Sequence, residues 1–157
     1  MSFEIRPVGY VTTGRTDEFD SDHWGGVESV IEVDPERFGA AALTGLEEFS
    51  HVEVFFVFDK LAEREDYTIP RSGRGRDDLP AVGVFCDRGP RRPNRLGATV
   101  CSVVKVDDNR LTVSGLDALQ GTPVVDIKPV MHEFLPEKVH QPEWVSSLMA
   151  DYFVAEG

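Results

Sequence analysis

Residues 51–58, with the sequence HVEVFFVF, form the most strand-like stretch of this chain. Valine and phenylalanine favour extended backbone, and a nearly continuous apolar run of this length indicates a strand that is buried on both faces. Such a strand is expected in the wall of a closed barrel or beneath a helix. The fold is therefore predicted to form around this segment.

Further strand-like stretches lie on both sides of this one. They cover residues 3–12, with Pro7 near the start or at a sheet edge, and residues 27–33, 98–106, 111–114 and 122–127, the last of which ends before Pro129. Residues 107–110, DDNR, predict a β-hairpin between two of these strands. No glycine-rich GxGxxG turn follows the first strand, so a Rossmann fold is not expected. We predict a mainly β fold, a closed or partly open β-barrel with a few packed helices.

Two helices are predicted beside the strands. Asp34 is suited to be an N-cap, Pro35 follows at the first helical position, and apolar residues continue at near-helical spacing to Leu46. Residues 142–154 carry an amphipathic pattern that predicts a closing helix. A chain of 157 residues, of which 41% are hydrophobic, is expected to form a single domain over residues 1–157 with its core in residues 3–135.

A loop rich in arginine, glycine and proline occupies residues 83–97, GVFCDRGPRRPNRLG. Val82, Val84 and Phe85 predict a short strand that leads into it, and the glycines and prolines prevent a regular helix or strand from continuing. Binding residues concentrate in loops of fixed shape, so the chemistry is expected here. The alternative interpretation is a solvated arginine-rich turn.

The charge of the chain is unevenly distributed. Its net charge is −12, which opposes general binding to nucleic acid. Residues 71–95, however, contain seven arginines against three aspartates, a local balance of +4. A compact basic patch on an acidic body can bind a particular anion. Residues 59–80 form the longest irregular connection of the chain. Loops of this length are usually functional, so this one is a candidate lid.

Cysteine, histidine and hydropathy exclude several classes of protein. Cys86 and Cys101 are too few for a disulfide framework or a four-cysteine zinc site, and the four histidines lack metal-ligand spacing. GxSxG and HExxH motifs are absent. No stretch approaches the roughly 20 apolar residues of a membrane span, and no leader-like segment opens the sequence. The prediction is a cytoplasmic protein that binds neither membrane nor metal.

Two smaller groups of residues leave their roles open. In residues 22–25, DHWG, His23 can transfer a proton and Trp24 can stack on a purine or a cationic sulfonium, or Trp24 can simply anchor its loop. Asp126 and Lys128 can bind a small molecule, or they can form a structural ion pair on one strand face.

Three segments of the chain resemble one known family. Residues 45–58, GLEEFSHVEVFFVF, residues 82–103, VGVFCDRGPRRPNRLGATVCSV, and residues 111–129, LTVSGLDALQGTPVVDIKP, are similar to conserved blocks of the TsaA-like family of tRNA methyltransferases. The resemblance implies a β-barrel, the cofactor S-adenosyl-L-methionine and a homodimer with the cofactor near the subunit interface. The implied reaction is methylation of N6 of a modified adenosine, threonylcarbamoyladenosine, next to the anticodon of tRNA.

The resemblance also implies a set of site residues. The cofactor-binding residues are expected to be Arg88, Ala98, Asp117, Ala118, Leu119, Gln120, Asp59 and Lys60. Candidate tRNA-binding residues are Arg71, Arg74, Arg76, Arg91, Arg92 and Arg95. Loss of Arg88, in the arginine-rich loop, is expected to weaken cofactor binding more than loss of Arg64, which lies in an acidic connection. The catalytic residue is unknown, with Asp59 and His23 as candidate proton acceptors.

The chain departs from the family pattern at several positions. Residues 21–25 replace a Pro-Arg-Gln segment, Asp59 replaces a histidine, and Gln120 replaces an aspartate. A short member without the C-terminal domain of the bacterial enzymes is expected. Two other functions therefore stay open: a sensor or interaction module that binds S-adenosylmethionine without turnover, and a methyltransferase for a small metabolite.

Overall fold

The computed structural model of the protein describes residues 1–18 and 21–156, and in this part of the chain six strands close an antiparallel barrel. The strands are β1 (Gly9–Thr13), β2 (Glu28–Val33), β3 (His51–Val57), β4 (Leu96–Asp107), β5 (Arg110–Ser114) and β6 (Pro123–Pro129). They follow one another around the barrel in the order β1, β2, β5, β4, β3, β6, and β6 pairs with β1 to close it. The predicted β-barrel is confirmed.

Strand β3 forms part of the barrel wall, but it is buried on one face only. Val52, Val54 and Phe56 point into the barrel and are buried, whereas the alternate residues Glu53 and Phe55 are half-exposed on the outer surface. The prediction of burial on both faces is wrong. The apolar run is continuous because the outer face carries Phe55 and Val57 as well, not because a second layer of structure covers it.

The apolar contacts of the barrel interior also explain one glycine. Gly97 was expected to interrupt regular structure, but it lies in β4 opposite Phe56. A Cβ atom at Gly97 would lie 2.5 Å from the Phe56 ring, far inside van der Waals contact. Gly97 therefore provides space for a core phenylalanine within a regular strand.

Both helices are shorter than their sequence patterns predict. Helix α1 (Pro35–Phe38) has the expected cap, because the Asp34 carboxylate accepts hydrogen bonds from two backbone amides of the first turn. It ends at Gly39, which has a φ of 68°, so the apolar spacing that continues to Leu46 does not extend it. Helix α2 (Glu143–Leu148) ends well before residue 154.

The segment before the arginine-rich loop is not the predicted strand. Val82 makes a single isolated bridge with Arg71, through two backbone hydrogen bonds of 3.0 Å, and Val84–Cys86 form one turn of 3-10 helix. Phe85 is 78% exposed. β-branched and aromatic residues favour a strand only where a neighbouring strand pairs with them, and here the pairing is limited to one residue.

The antiparallel topology places three loops at one end of the barrel. β1, β3 and β5 end there, and β2, β4 and β6 begin there, as their pairing registers require. Residues 14–27, 58–95 and 115–122 connect these strand ends. We call this the loop end of the barrel. Residues 143–156, which we call the C-terminal strap, return to it, since the His23 and Trp24 amides donate to the Asp151 and Tyr152 carbonyls.

Candidate functional site

The centre of the candidate site is Asp117, which lies in the loop after β5. Its neighbours Leu116 and Ala118 are buried in the core and fix the loop, which leaves Asp117 half-buried between them. One carboxylate oxygen of Asp117 accepts a hydrogen bond from the Thr99 hydroxyl of β4, and the other accepts one from the Tyr152 hydroxyl of the C-terminal strap. A carboxylate with a hydroxyl donor on each oxygen is held in one orientation.

Tyr152 lies near Arg74 of the connection over residues 58–95, which we call the long loop. The Arg74 guanidinium lies 5.9 Å from the centroid of the Tyr152 ring, and the charge of Arg88 also acts on this tyrosine. Burial first, and then the charge of Asp117, raises the pKa of the Tyr152 hydroxyl well above its ordinary value. Tyr152 acts as a donor to Asp117, and the raised pKa extends its protonated state beyond the pH range of an ordinary tyrosine.

Two of the predicted cofactor residues, Arg88 and Ala98, contact each other. The Arg88 guanidinium donates a hydrogen bond to the Ala98 carbonyl oxygen at the beginning of β4. Ala98 precedes Thr99, whose hydroxyl binds Asp117. Arg88, Ala98 and Asp117 are thus brought together, although 29 positions separate the first from the last in the sequence.

The remaining residues of the Asp117 loop connect it to the loop after β1. The Gln120 side-chain carbonyl accepts a hydrogen bond from the Gly14 amide at 3.3 Å, and the Gln120 amide donates to the Arg15 carbonyl at 2.9 Å. The Leu119 carbonyl accepts from the Thr122 amide at 3.1 Å, which closes the turn. The loop is therefore held in shape from both of its ends.

Residues 22–25 are built into the same network. The Trp24 ring is 6% exposed, and the Arg15 guanidinium stacks 4.3 Å from its centroid. The Asp22 carboxylate accepts two hydrogen bonds, of 2.9 and 3.2 Å, from Arg74. Trp24 anchors its loop, which is the second of the two interpretations of this segment. His23 contacts the Val154 carbonyl with its ring nitrogen Nδ1 at 3.2 Å, beside an open cavity of about 530 Å³.

Asp59 and Lys60 are not joined to this network. Both are exposed at the end of β3, and the Lys60 ammonium pairs with the Glu18 carboxylate at 3.0 Å. Within residues 1–18 and 21–156, no hydrogen bond or ion pair links either residue to Asp117 or Arg88. The structure therefore brings together only part of the predicted cofactor set.

Several arginines of the long loop form hydrogen bonds or ion pairs with other residues of the chain. Arg92 donates to the Asp87 carbonyl at 2.8 Å, and Arg95 donates to the Leu61 carbonyl at 2.8 Å. The Arg76 guanidinium pairs with the Asp78 carboxylate at 2.5 Å. These contacts, like that of Arg74 with Asp22, fix the loop.

Arg64 packs against the arginine-rich loop, although it belongs to an acidic connection. Its side chain is only 10% exposed, and its guanidinium lies 3.9 Å from the carboxylate of Asp87, which belongs to the arginine-rich loop. The adjacent Glu63 carboxylate accepts a hydrogen bond from the Asn94 amide at 2.8 Å. Residues 61–64 therefore support the arginine-rich loop from beneath, a contact between segments that sequence spacing does not reveal.

Asp126 and Lys128 form an ion pair. Their charged atoms are 3.0 Å apart, and both side chains are about half-exposed or more. An exposed pair of this kind contributes little to stability. Its position on one strand supports the structural interpretation over a binding role.

The sequence patterns missed two residues of the site, Thr99 and Tyr152. Thr99 lies in a strand that was identified correctly, but only the fold reveals that it faces Asp117. Tyr152 lies within residues 142–154, whose amphipathic pattern predicts a helix and gives no sign of a polar contact with Asp117. In the described residues, no three His, Cys, Asp or Glu side chains group as metal ligands, and no helix has the length and apolar character needed to cross a membrane.

Comparisons with known proteins converge on one family. A family model described as the tRNA-methyltransferase O N-terminal domain matches residues 19–134. A human tRNA (adenine(37)-N6)-methyltransferase is 40% identical over 105 residues, which are 64% of this chain and 23% of the human protein. An S-adenosyl-L-methionine-binding protein of Archaeoglobus fulgidus is 34% identical over 125 residues, which are 79% of this chain and 86% of that protein.

A solved structure gives the same result for the fold. The crystal structure of TrmO from Pseudomonas aeruginosa superimposes with a TM-score of 0.67 and 30% sequence identity, and the match covers 85% of this chain and 57% of that one. The present chain thus spans little more than half the length of this bacterial protein, and less than a quarter of the human one. The archaeal protein, in contrast, is matched over most of its length.

Proposed function

Because this chain belongs to the family of tRNA-methyltransferase O N-terminal domains, we propose that it is an S-adenosyl-L-methionine-dependent methyltransferase that acts on tRNA. The proposed acceptor is N6 of a modified adenosine, threonylcarbamoyladenosine, next to the anticodon. The family resemblance noted in the sequence and the fold both point to this class. The chain covers only part of its longer relatives.

The observation that carries the proposal is the meeting of Arg88, Ala98 and Asp117 at the loop end. We propose that these residues, with Ala118, Leu119 and Gln120, bind the cofactor. The Asp117 carboxylate and the Ala98 carbonyl accept hydrogen bonds, and the Arg88 guanidinium donates them. These donors and acceptors suit a ligand that carries ammonium, carboxylate and hydroxyl groups. S-adenosylmethionine carries all three.

The chemical demands of this reaction on the protein are modest. The cofactor supplies a methyl group that is already activated on a sulfonium, so the residues of the chain need to orient the acceptor, exclude water and accept a proton from the amine. Asp59 and His23 remain the proposed candidates for the proton acceptor. Asp59 is exposed, and His23 borders the open cavity, so each is accessible to a substrate.

A second candidate function is cofactor binding without transfer, as in a sensor. Two observations favour it: the archaeal relative carries the name of a binding protein, and four of the six candidate tRNA-binding arginines bind groups of the chain itself. A methyltransferase for a small metabolite is the third possibility, because residues 21–25 depart from the family pattern.

The proposal extends to the assembly and location of the protein. A homodimer is supported by apolar residues on the outer face of β4, where Leu96 and Val100 are exposed between buried neighbours. An exposed apolar face of this kind commonly marks a protein interface. Cytoplasmic location follows from a tRNA substrate.

Label transfer from the cofactor tests the proposal. The protein is incubated with methyl-labelled S-adenosylmethionine and either total tRNA or a small-molecule extract, and we expect label in the tRNA. Label in a small product would indicate the metabolite enzyme, and saturable binding without transfer would indicate the sensor. Absence of any binding at millimolar cofactor would contradict all three.

A matched pair of arginine variants tests the site itself. Arg88→Ala removes a charged donor at the loop end, whereas Arg110→Ala removes an exposed arginine in the hairpin at the opposite end of the barrel, where it pairs with Glu32 at 3.5 Å. Loss of a charge-assisted contact should cost about 1.5 to 3 kcal/mol, or roughly ten- to a hundredfold in affinity, for Arg88→Ala only. Calorimetry that gave equal affinities for the two variants would contradict the site assignment.

A further inference from the structure

The C-terminal strap lies outside the part of the chain that matches the family, yet it contacts the candidate site. The family match ends at residue 134, and the strap covers residues 143–156. Its backbone accepts hydrogen bonds from the amides of His23 and Trp24, at 3.0 and 2.8 Å. Leu148 packs directly against Gly73, where a Cβ atom would lie 2.9 Å from its side chain. The strap is therefore seated between two of the loops at the loop end.

The docked strap brings the side chain of Tyr152 to the centre of the site. Tyr152 forms two hydrogen bonds at the site. Its backbone carbonyl accepts one from the Trp24 amide, and its side-chain hydroxyl donates one to Asp117. The ring between them is partly buried and lies near the guanidinium of Arg74, which Asp22 holds in place. Tyr152 thus contacts residues from the loop after β1, the long loop and the loop after β5.

We propose that Tyr152 is a positioning residue of the cofactor site, which holds the Asp117 carboxylate in its binding orientation, and that the C-terminal strap thereby completes the site. This inference rests on the proposed binding of S-adenosylmethionine near Asp117. Its new content is that a segment beyond the family match supplies a part of the site that the barrel alone lacks.

Two hydrogen bonds restrict the Asp117 carboxylate. Thr99 holds one oxygen of Asp117, and with that bond alone the second oxygen has no donor from the protein. The Tyr152 hydroxyl supplies this donor. Like any tyrosine hydroxyl it keeps its proton at neutral pH and is a donor there, and burial, followed by the charge of Asp117, raises its pKa further. A ligand then finds an acceptor of fixed direction, and less ordering is needed on binding.

The variant that tests the proposal is Tyr152→Phe, which keeps the ring and removes only the hydroxyl. Its matched control is Tyr67→Phe, because the Tyr67 hydroxyl also donates to a carboxylate, that of Glu63 at 3.3 Å, but on an exposed part of the long loop. Calorimetric titration with S-adenosylmethionine should show about a tenfold weaker affinity for Tyr152→Phe and no change for Tyr67→Phe.

A double-variant cycle separates positioning from general support of the fold. If Tyr152 acts through Asp117, the phenylalanine change should have no further effect on affinity in the Asp117→Asn background. Amide exchange at Trp24 reports whether the strap stays docked in each variant, because that amide binds the Tyr152 carbonyl.

The possible outcomes are distinct. Wild-type affinity in Tyr152→Phe would overturn the inference, and so would an equal loss with and without Asp117, since Tyr152 would then act on its own. A loss that appears only together with strap undocking would also overturn it. Failure of the unaltered protein to bind S-adenosylmethionine would instead contradict the proposed function on which the inference rests.

Discussion

Cys101 lies in the core of the barrel, and the charge of Asp117 in the candidate site also acts on its thiol. Its thiol is 2% exposed and lies 3.8 Å from the Val52 carbonyl, two residues along β4 from Thr99. Burial first, and the nearby charge of Asp117 second, raises the pKa of this thiol from 9.0 to about 12. The folded protein therefore keeps Cys101 protonated at pH values where the unfolded chain loses the proton.

The raised pKa of Cys101 predicts a pH dependence of stability. A thiol whose pKa is higher in the folded state contributes stability that is fully present below pH 9 and is lost as pH rises toward about 12. Cys101 can therefore steepen the fall of the unfolding free energy by up to about 1.4 kcal/mol per pH unit. Urea unfolding between pH 8 and 10.5 should give a shallower slope for Cys101→Ala than for the wild type. The control Cys86→Ala removes an exposed thiol and should keep the wild-type slope, so equal slopes for the two variants would contradict the prediction.

At the residue scale, sequence reasoning identified the type of a functional residue more easily than its partner. Arg88 and Arg95 belong to the same loop, but Arg95 binds the Leu61 carbonyl and Arg88 binds the Ala98 carbonyl beside Asp117. Which carbonyl lies within reach of a guanidinium depends on how distant segments pack. The same holds for Tyr152, whose role depends on a contact with a residue 35 positions away.

At the element scale, five of the six barrel strands were predicted well, whereas the start of β1, the strand expected at residues 82–85 and the ends of the helices were not. Alternating and apolar runs identified β2, β3, β4, β5 and β6 nearly to their bounds, because the period of a strand is set by local geometry. The apolar spacing after Asp34 and Pro142 continues beyond both helices. Helix α1 ends at Gly39, whereas the residues that follow helix α2 pair with residues 23–24. Tertiary contacts override a helical pattern of such short length.

Docking of the C-terminal strap depends on a glycine, which gives a prediction for this element. A Cβ atom at Gly25 would lie 1.8 Å from the Phe153 carbonyl oxygen, so Gly25→Ala must displace the strap backbone. We expect a loss of about 1 to 3 kcal/mol in stability and faster amide exchange at His23 and Trp24. Gly83→Ala is the control, because nothing lies within 4 Å of the added atom. Unchanged exchange in Gly25→Ala would show that the strap is held in another way.

At the scale of the whole molecule, the local excess of arginine overstates the charge available to a polyanion. The chain has a net charge of −12. Among the candidate tRNA-binding arginines, Arg74 and Arg76 pair with carboxylates, and Arg92 and Arg95 bind carbonyls. Hydrogen bonds from Thr68, and to a smaller degree the charge of Arg71, lower the pKa of Asp66, so the charge of Arg71 also acts on a carboxylate of the chain. Arg91 is exposed, and no described residue forms a hydrogen bond or ion pair with its side chain.

The salt dependence of tRNA binding should therefore be weak. Each phosphate contact contributes roughly 0.7 to 0.9 to the slope of log affinity against log salt, so one or two contacts give a slope between about −1 and −2, whereas six would give about −4 to −5. Fluorescence anisotropy with labelled tRNA across a sodium chloride series measures this slope.

Two arginine variants separate binding from support of the loop. Arg91→Ala should reduce the slope by the contribution of nearly one phosphate contact. Arg95→Ala should lower the unfolding temperature instead, because its guanidinium supports the loop through Leu61. A steep slope near −5 would mean that the arginines exchange their internal partners for phosphate on binding, and that the long loop rearranges when tRNA docks.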